Sequence, residues 1–150
     1  MNNNEVIAAL DGLVATCQRG RDKFRDAAEN LQNIEFRRLF NIFSQQRIQF
    51  ITELGAEVHR LRGDSVAVIE APGELPGNTV PFKRSTLTKS VTRNEASIIA
   101  ECQREEETAV NDYQEALKAD LPLDVQYVVK RQYMDIKDAY DRIRILQRAA

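Results

Sequence analysis

Apolar side chains recur along this chain at helical spacing in four separate stretches. The first, residues 4–31, puts Ile7, Leu10, Val14, Cys17, Phe24, Ala28 and Leu31 on one face, with Asn2 to Asn4 placed to cap it. The second, residues 34–62, carries Phe36, Leu39, Phe40, Phe43, Phe50, Leu54, Val58 and Leu61. Four of the six phenylalanines lie here, so this helix is expected to supply the bulk of the core. Gly63 follows as a C-terminal stop. The third stretch, residues 94–118, carries Ile98, Cys102, Ala109, Tyr113 and Leu117. It opens on Thr92-Arg93-Asn94-Glu95, a capping-box sequence with Thr92 as the cap. The fourth, residues 122–148, carries Val125, Val129, Ile136, Ile143 and Leu146, with Pro122 and Asp124 suited to its first turn. Gly12 and Gly20 interrupt the first helix at a cost of about 1 kcal/mol each, which points to close approach of a neighbouring helix at both.

The connections decide the topology. Residues 63–93 contain Pro72, Pro76, Pro81, Gly73 and Gly77 and cannot form a continuous helix. They are far too many for a turn between antiparallel neighbours, which takes ~2–8 residues. The second helix is roughly 45 Å long at 1.5 Å per residue. A crossover back along that length would let the third helix run parallel to the second. The short link at 119–121 makes the fourth antiparallel to the third. The expectation is one all-α domain over residues 1–150, a four-helix bundle with a long crossover between helices two and three.

Each apolar stripe has a polar gap near its middle: Gly20 and Arg21, Gln46 and Arg47, Glu105 and Glu106, Gln132 and Tyr140. In a bundle these gaps meet as one layer. Bundle proteins build di-iron and di-manganese sites there, from a Glu on each of two helices and a Glu-x-x-His on each of the other two. This inventory falls short. Glu105, Glu106 and Asp135 are the usable carboxylates; Asp22 lies off its stripe, Gln46 and Gln49 are weak neutral ligands, and Tyr140 stands where a histidine is wanted. His59, the single histidine, is roughly 20 Å along the helix from Gln46 and reads as a surface or interface residue. The alternative is an internal ion pair between Arg21 or Arg47 and Glu105 or Glu106, with Gln46, Gln132 and Tyr140 completing the hydrogen bonds. Such a pair fixes register because misregister strands a charge.

Composition narrows the function classes. A net charge of −2 and the absence of a basic tail argue against nucleic acid as a partner. Residues 94–120 carry a net charge of −6 and residues 130–150 a net charge of +3, so the last two helices should attract each other. Cys17 and Cys102 make neither a disulfide framework nor a zinc site. No apolar run reaches the ~18 residues of a membrane span, and the first residues lack the basic start of a secretory signal. A reducing, cytoplasmic setting follows. No nucleophile–base set and no phosphate-binding glycine loop is present.

Several segments resemble a bacterial family of ferritin-like four-helix-bundle proteins of unknown function. They are Gly20–Glu29 (GRDKFRDAAE), Gln46-Arg47-Ile48-Gln49-Phe50 with Glu53-Leu54, Cys102–Leu117 ending in YQEAL, Asp120-Leu121-Pro122, and Ile136–Arg144 (IKDAYDRIR). The resemblance implies a ferritin-like bundle and no particular activity. It also marks two departures, Gln46 where the family often has Glu and Tyr140 where it often has His, both of which remove metal-ligating groups. The expected protein is a non-enzymatic bundle without cofactor, acting in interaction or stress, and self-associating as a dimer. Its alternative is a di-iron or di-manganese redox protein holding metal on Glu105, Glu106 and Asp135.

Overall fold

The computed structural model describes residues 1–63 and 94–149. Four helices account for nearly all of them: α1 (Asn3–Asn30), α2 (Ile34–Arg62), α3 (Glu95–Lys118) and α4 (Leu123–Ala149). Three begin at an asparagine. Asn2 Oδ1 accepts from Glu5 N at 2.9 Å while Asn2 N donates to Glu5 Oε1 at 2.9 Å, a complete capping box. Asn33 Oδ1 accepts from Phe36 N at 3.0 Å, and Asn94 Oδ1 accepts from Ser97 N at 2.8 Å. The third helix is therefore capped by Asn94, not Thr92, and Glu95 is released from the capping-box role. Its carboxylate instead accepts from Gln32 N at 2.6 Å and Asn33 N at 2.7 Å, tying the start of α3 to the α1–α2 turn. Gly63 ends α2 at φ +75°, a left-handed conformation that glycine adopts without penalty. At α4, the Pro122 carbonyl accepts the first helical bond, from Gln126 N at 2.8 Å.

Side-chain pairs fix the directions. Thr16 meets Asp112 and Lys23 meets Glu101, so α1 and α3 are antiparallel. Arg60 meets Asp124 and Glu53 meets Arg131, so α2 and α4 are antiparallel. With the turns at 31–33 and 119–122, α2 and α3 run parallel. Gly63 and Asn94 consequently lie at opposite ends of the bundle, as a crossover requires. The crossover path itself, residues 64–93, lies outside the described residues.

The core divides into two clusters. One holds Val6, Leu10, Leu13, Cys17, Phe50, Leu54, Ala109, Tyr113, Val125, Val129 and Ile136. The other holds Phe24, Phe40, Phe43, Ile98, Ile99, Cys102, Ala139 and Ile143, with the three phenylalanine rings 5.5–5.8 Å apart between centroids. The two cysteines are free, buried, and in different clusters. The charge reading needs a correction. The acidic Glu101, Glu105 and Asp112 of α3 pair with Lys23 and Arg19 of α1, because α1 is the helix that faces them. Gly12 also differs from expectation: among the described residues a Cβ there would meet nothing within 4 Å, so none of the four helices crosses at that point.

Candidate functional site

Between the two clusters lies an ion pair with zero side-chain exposure on both partners, Arg47 of α2 and Glu106 of α3. It is bidentate. Arg47 Nη1 donates to Glu106 Oε1 at 2.8 Å, and Nη2 donates to Oε2. The guanidinium is also held by rings, 5.1 Å from the Phe24 centroid and 5.9 Å from that of Phe50, so its positive charge faces two π systems. Gly20 of α1 makes the room: a Cβ there would stand 2.9 Å from Arg47 Nη1. Arg47 Nε is buried and has no acceptor among the described residues.

Electrostatics at this pair are governed by burial. Desolvation pushes the Glu106 carboxyl above its ordinary value against the opposing pull of Arg47. Burial also works against the Arg47 charge, but Glu106 more than offsets it and the guanidinium stays protonated. The carboxylate cannot accept a further ligand without giving up one of its two bonds to Arg47.

A second buried chain runs beside the pair. Cys17 Sγ lies 3.2 Å from Tyr113 Oη. Tyr113 Oη donates to Gln132 Oε1 at 2.7 Å, and Gln132 Nε2 donates to Glu53 Oε1 at 2.8 Å and to the Phe50 carbonyl at 3.4 Å. Glu53 is held in turn by Arg131 Nη2 at 3.1 Å. All four helices contribute. Burial raises the Cys17 thiol, with the Tyr113 hydrogen bond pulling the other way, and it raises the Tyr113 phenol well above its usual range. Neither is a poised nucleophile at neutral pH. Tyr113→Phe is expected to cost about 1–3 kcal/mol, because Gln132 Oε1 would lose its donor while staying buried. Chemical denaturation checks this, and a change within about 0.5 kcal/mol, the range of an ordinary surface substitution, would mean the chain relaxes without it.

The other residues of the sequence-level layer sit elsewhere. Arg21 is half-buried and bonds to its neighbour Asp22 at 2.9 Å, since Gly20 rather than Arg21 faces the interior. Gln46 is half-buried, with Oε1 buried and unpartnered among the described residues. Glu105 is half-buried and lies 3.6 Å from Arg19, one residue round the helix from the position that faces Arg47. Tyr140 is half-buried, its ring 5.7 Å from the Arg144 guanidinium. Asp135 is exposed. His59 is half-buried near the end of α2, where its carbonyl accepts from Gly63 N. Sequence reasoning missed Cys17, Glu53 and Tyr113 as polar participants. The available signal was Tyr113 itself: a tyrosine in a buried stripe, seven residues after Glu106 and so on the same face, needs a hydroxyl partner.

These residues do not fit a di-metal centre. Among the described residues no three Asp, Glu, His or Cys side chains converge on one point. Of Glu105, Glu106 and Asp135, the first faces Arg19, the second is engaged by Arg47, and the third points to solvent. Among the described residues, no helix is long and apolar enough to cross a membrane.

The family described as "Domain of unknown function (DUF2383)" matches residues 5–119, from α1 to just past the end of α3. Among solved structures, a two-domain protein from Anabaena variabilis containing DJ-1/ThiJ/PfpI-like and ferritin-like domains is similar, with a TM-score of 0.76 at 13% identity. The similarity covers 99% of this chain and 37% of that one, so this chain spans little more than a third of that protein. At such identity the likeness carries the fold alone. No curated protein sequence is similar to the chain. With more than half of its length matched, the chain belongs to the DUF2383 family, whose function is unknown, and its four helices have a ferritin-like fold.

Proposed function

We propose that this protein is a non-enzymatic, cytoplasmic ferritin-like bundle that acts through its surface, as a self-associating interaction protein. One observation carries the reading. At mid-bundle, where ferritin-like metalloproteins place their ligands, both oxygens of Glu106 are engaged by Arg47 in a site sealed from solvent. An arginine there brings a fixed positive charge that repels a cation and occupies the lone pairs a cation needs. The buried Cys17–Tyr113–Gln132 chain adds hydrogen bonds between helices and no accessible reactive group.

Anaerobic Fe(II) titration followed by exposure to oxygen tests this. The expected result is no stoichiometric Fe(III) absorbance, and well under one equivalent of iron, manganese or zinc in the purified protein. A stoichiometric band that Glu105→Ala or Asp135→Ala abolishes would establish the redox metalloprotein instead. Both side chains lie outside the buried pair, so neither substitution is confounded by unfolding.

A further inference from the structure

Helix α4 carries a second apolar stripe, on the side away from the core. Leu123, Tyr127, Met134 and Ile145 are 82%, 69%, 64% and 61% exposed. At 100° per residue they fall within about 40° of one another on the helix circumference. Val125, Gln132 and Ile143, which are buried, occupy the opposite side. Four exposed large apolar side chains aligned on one face over roughly 33 Å, with charged residues between them, form a candidate interaction surface.

The polar residues on the same stripe say what covers it. Lys130, Asp138 and Asp141 lie between the apolar positions, so the seam reads Leu123, Tyr127, Lys130, Met134, Asp138, Asp141, Ile145. Its spacings are 4, 3, 4, 4, 3, 4, the same read in either direction from Met134. Turning a second copy end for end about Met134 therefore pairs Leu123 with Ile145, Tyr127 with Asp141, Lys130 with Asp138, and Met134 with itself. Apolar meets apolar, lysine meets aspartate, and a phenol meets a carboxylate that can accept its proton. A two-fold interface must be self-complementary in this sense. The mean spacing, slightly above 3.6, keeps the seam nearly parallel to the axis of an unsupercoiled helix.

We infer that a second copy of this chain docks on α4, the two α4 helices running antiparallel about a two-fold axis at Met134. The inference rests on the reading of the protein as self-associating and adds the face and the register. The apolar positions supply attraction, and the charged pairs select orientation. Within one copy Asp138 already lies 3.1 Å from Arg142, and Lys137 lies 3.1 Å from Asp141. The lysine and aspartate contacts across the axis are accordingly selective more than strong.

Sedimentation equilibrium over a concentration series is the test, on the full chain. Wild type is expected to reach twice the 17.1 kDa chain mass. Met134→Lys, which sets two ammonium groups face to face on the axis, should raise the dissociation constant about a hundredfold. Lys130→Glu and Asp138→Lys should each weaken the dimer about tenfold, and the two together should restore it. These positions are exposed, so circular dichroism should show every variant folded. A dimer indifferent to all these changes would overturn the α4 interface while leaving self-association standing. A protein that stays at 17.1 kDa throughout would overturn both, and the stripe would then belong to a different partner.

Discussion

Glu106→Ala is expected to destabilise the protein by about 3–5 kcal/mol, because it leaves the Arg47 guanidinium buried without a counter-charge. That is a large part of the 5–15 kcal/mol typical of a domain. The substitution also opens a small cavity and strips two acceptors from a group whose Nε has no acceptor among the described residues. Arg47→Met with Glu106→Leu should behave in the opposite way. Replacing a buried pair by apolar side chains of similar volume is commonly neutral, or stabilising by about 1–4 kcal/mol. Urea unfolding of the three proteins measures both effects. A single-residue loss below about 1 kcal/mol would mean that water or backbone reaches Arg47 once Glu106 is gone.

The sign of the pH dependence follows from the raised Glu106 carboxyl. Its folded value lies above its ordinary 4.5, so the folded state holds this proton more tightly than the unfolded chain does. The associated stability is fully present below the unfolded value and is lost as pH rises through the folded one. Wild type should therefore lose stability relative to the apolar double variant as pH rises from the acid range toward neutrality. A gap moving the other way would show that the attraction of Arg47 outweighs the cost of burial.

Much of this architecture was legible in the sequence because it rests on periodicity. The four stripes, the asparagine ahead of Glu5, the stop at Gly63 and the length of the second connection are local or arithmetical signals. Within the polar layer, periodicity located the gap but could not choose between adjacent residues, since Glu105 and Glu106 differ by only 100° of rotation. The choice was made by packing: Gly20 leaves space for Arg47, and Arg47 reaches Glu106. Tyr113 was hidden because its ring satisfies an apolar position while its hydroxyl does something else. The ion pairs of α3 with α1 were not legible because net charge per helix says nothing about which of two packed neighbours an acidic side chain faces.

The interior polar groups share a structural task. The chain folds as two helical hairpins, α1–α2 and α3–α4, each with its register set by a short turn. Neither short turn can set the register between them. Polar contacts between the hairpins can, because a shift of one turn would strand buried charge or leave hydrogen bonds unmade. Arg47 to Glu106 joins α2 to α3, Cys17 to Tyr113 joins α1 to α3, and Gln132 to Glu53 joins α4 to α2. Glu95 on the Gln32 and Asn33 amides adds a fourth clamp at one end.

Gly20→Ala should bring out the dependence of this arrangement on one missing methyl group. In an ordinary helix interior the substitution gains about 1 kcal/mol, and at exposed Gly12, where a Cβ would meet nothing within 4 Å among the described residues, a gain of that order is expected. At Gly20 the new Cβ would stand 2.9 Å from Arg47 Nη1 and 3.7 Å from its Cγ. Arginine is flexible in principle, but this one is pinned by two bonds to Glu106 and by the Phe24 and Phe50 rings. Moving it breaks or bends the buried pair, so the net effect is expected to be a loss of about 2–4 kcal/mol, the cost of a broken pair less the helix gain. The decisive measurement is a double-mutant cycle with Arg47→Met/Glu106→Leu. In that background the guanidinium is gone and Gly20→Ala should become neutral or stabilising, as at Gly12. An equal loss in both backgrounds would mean that Gly20 is required by the approach of the α2 backbone, independently of the charge it accommodates.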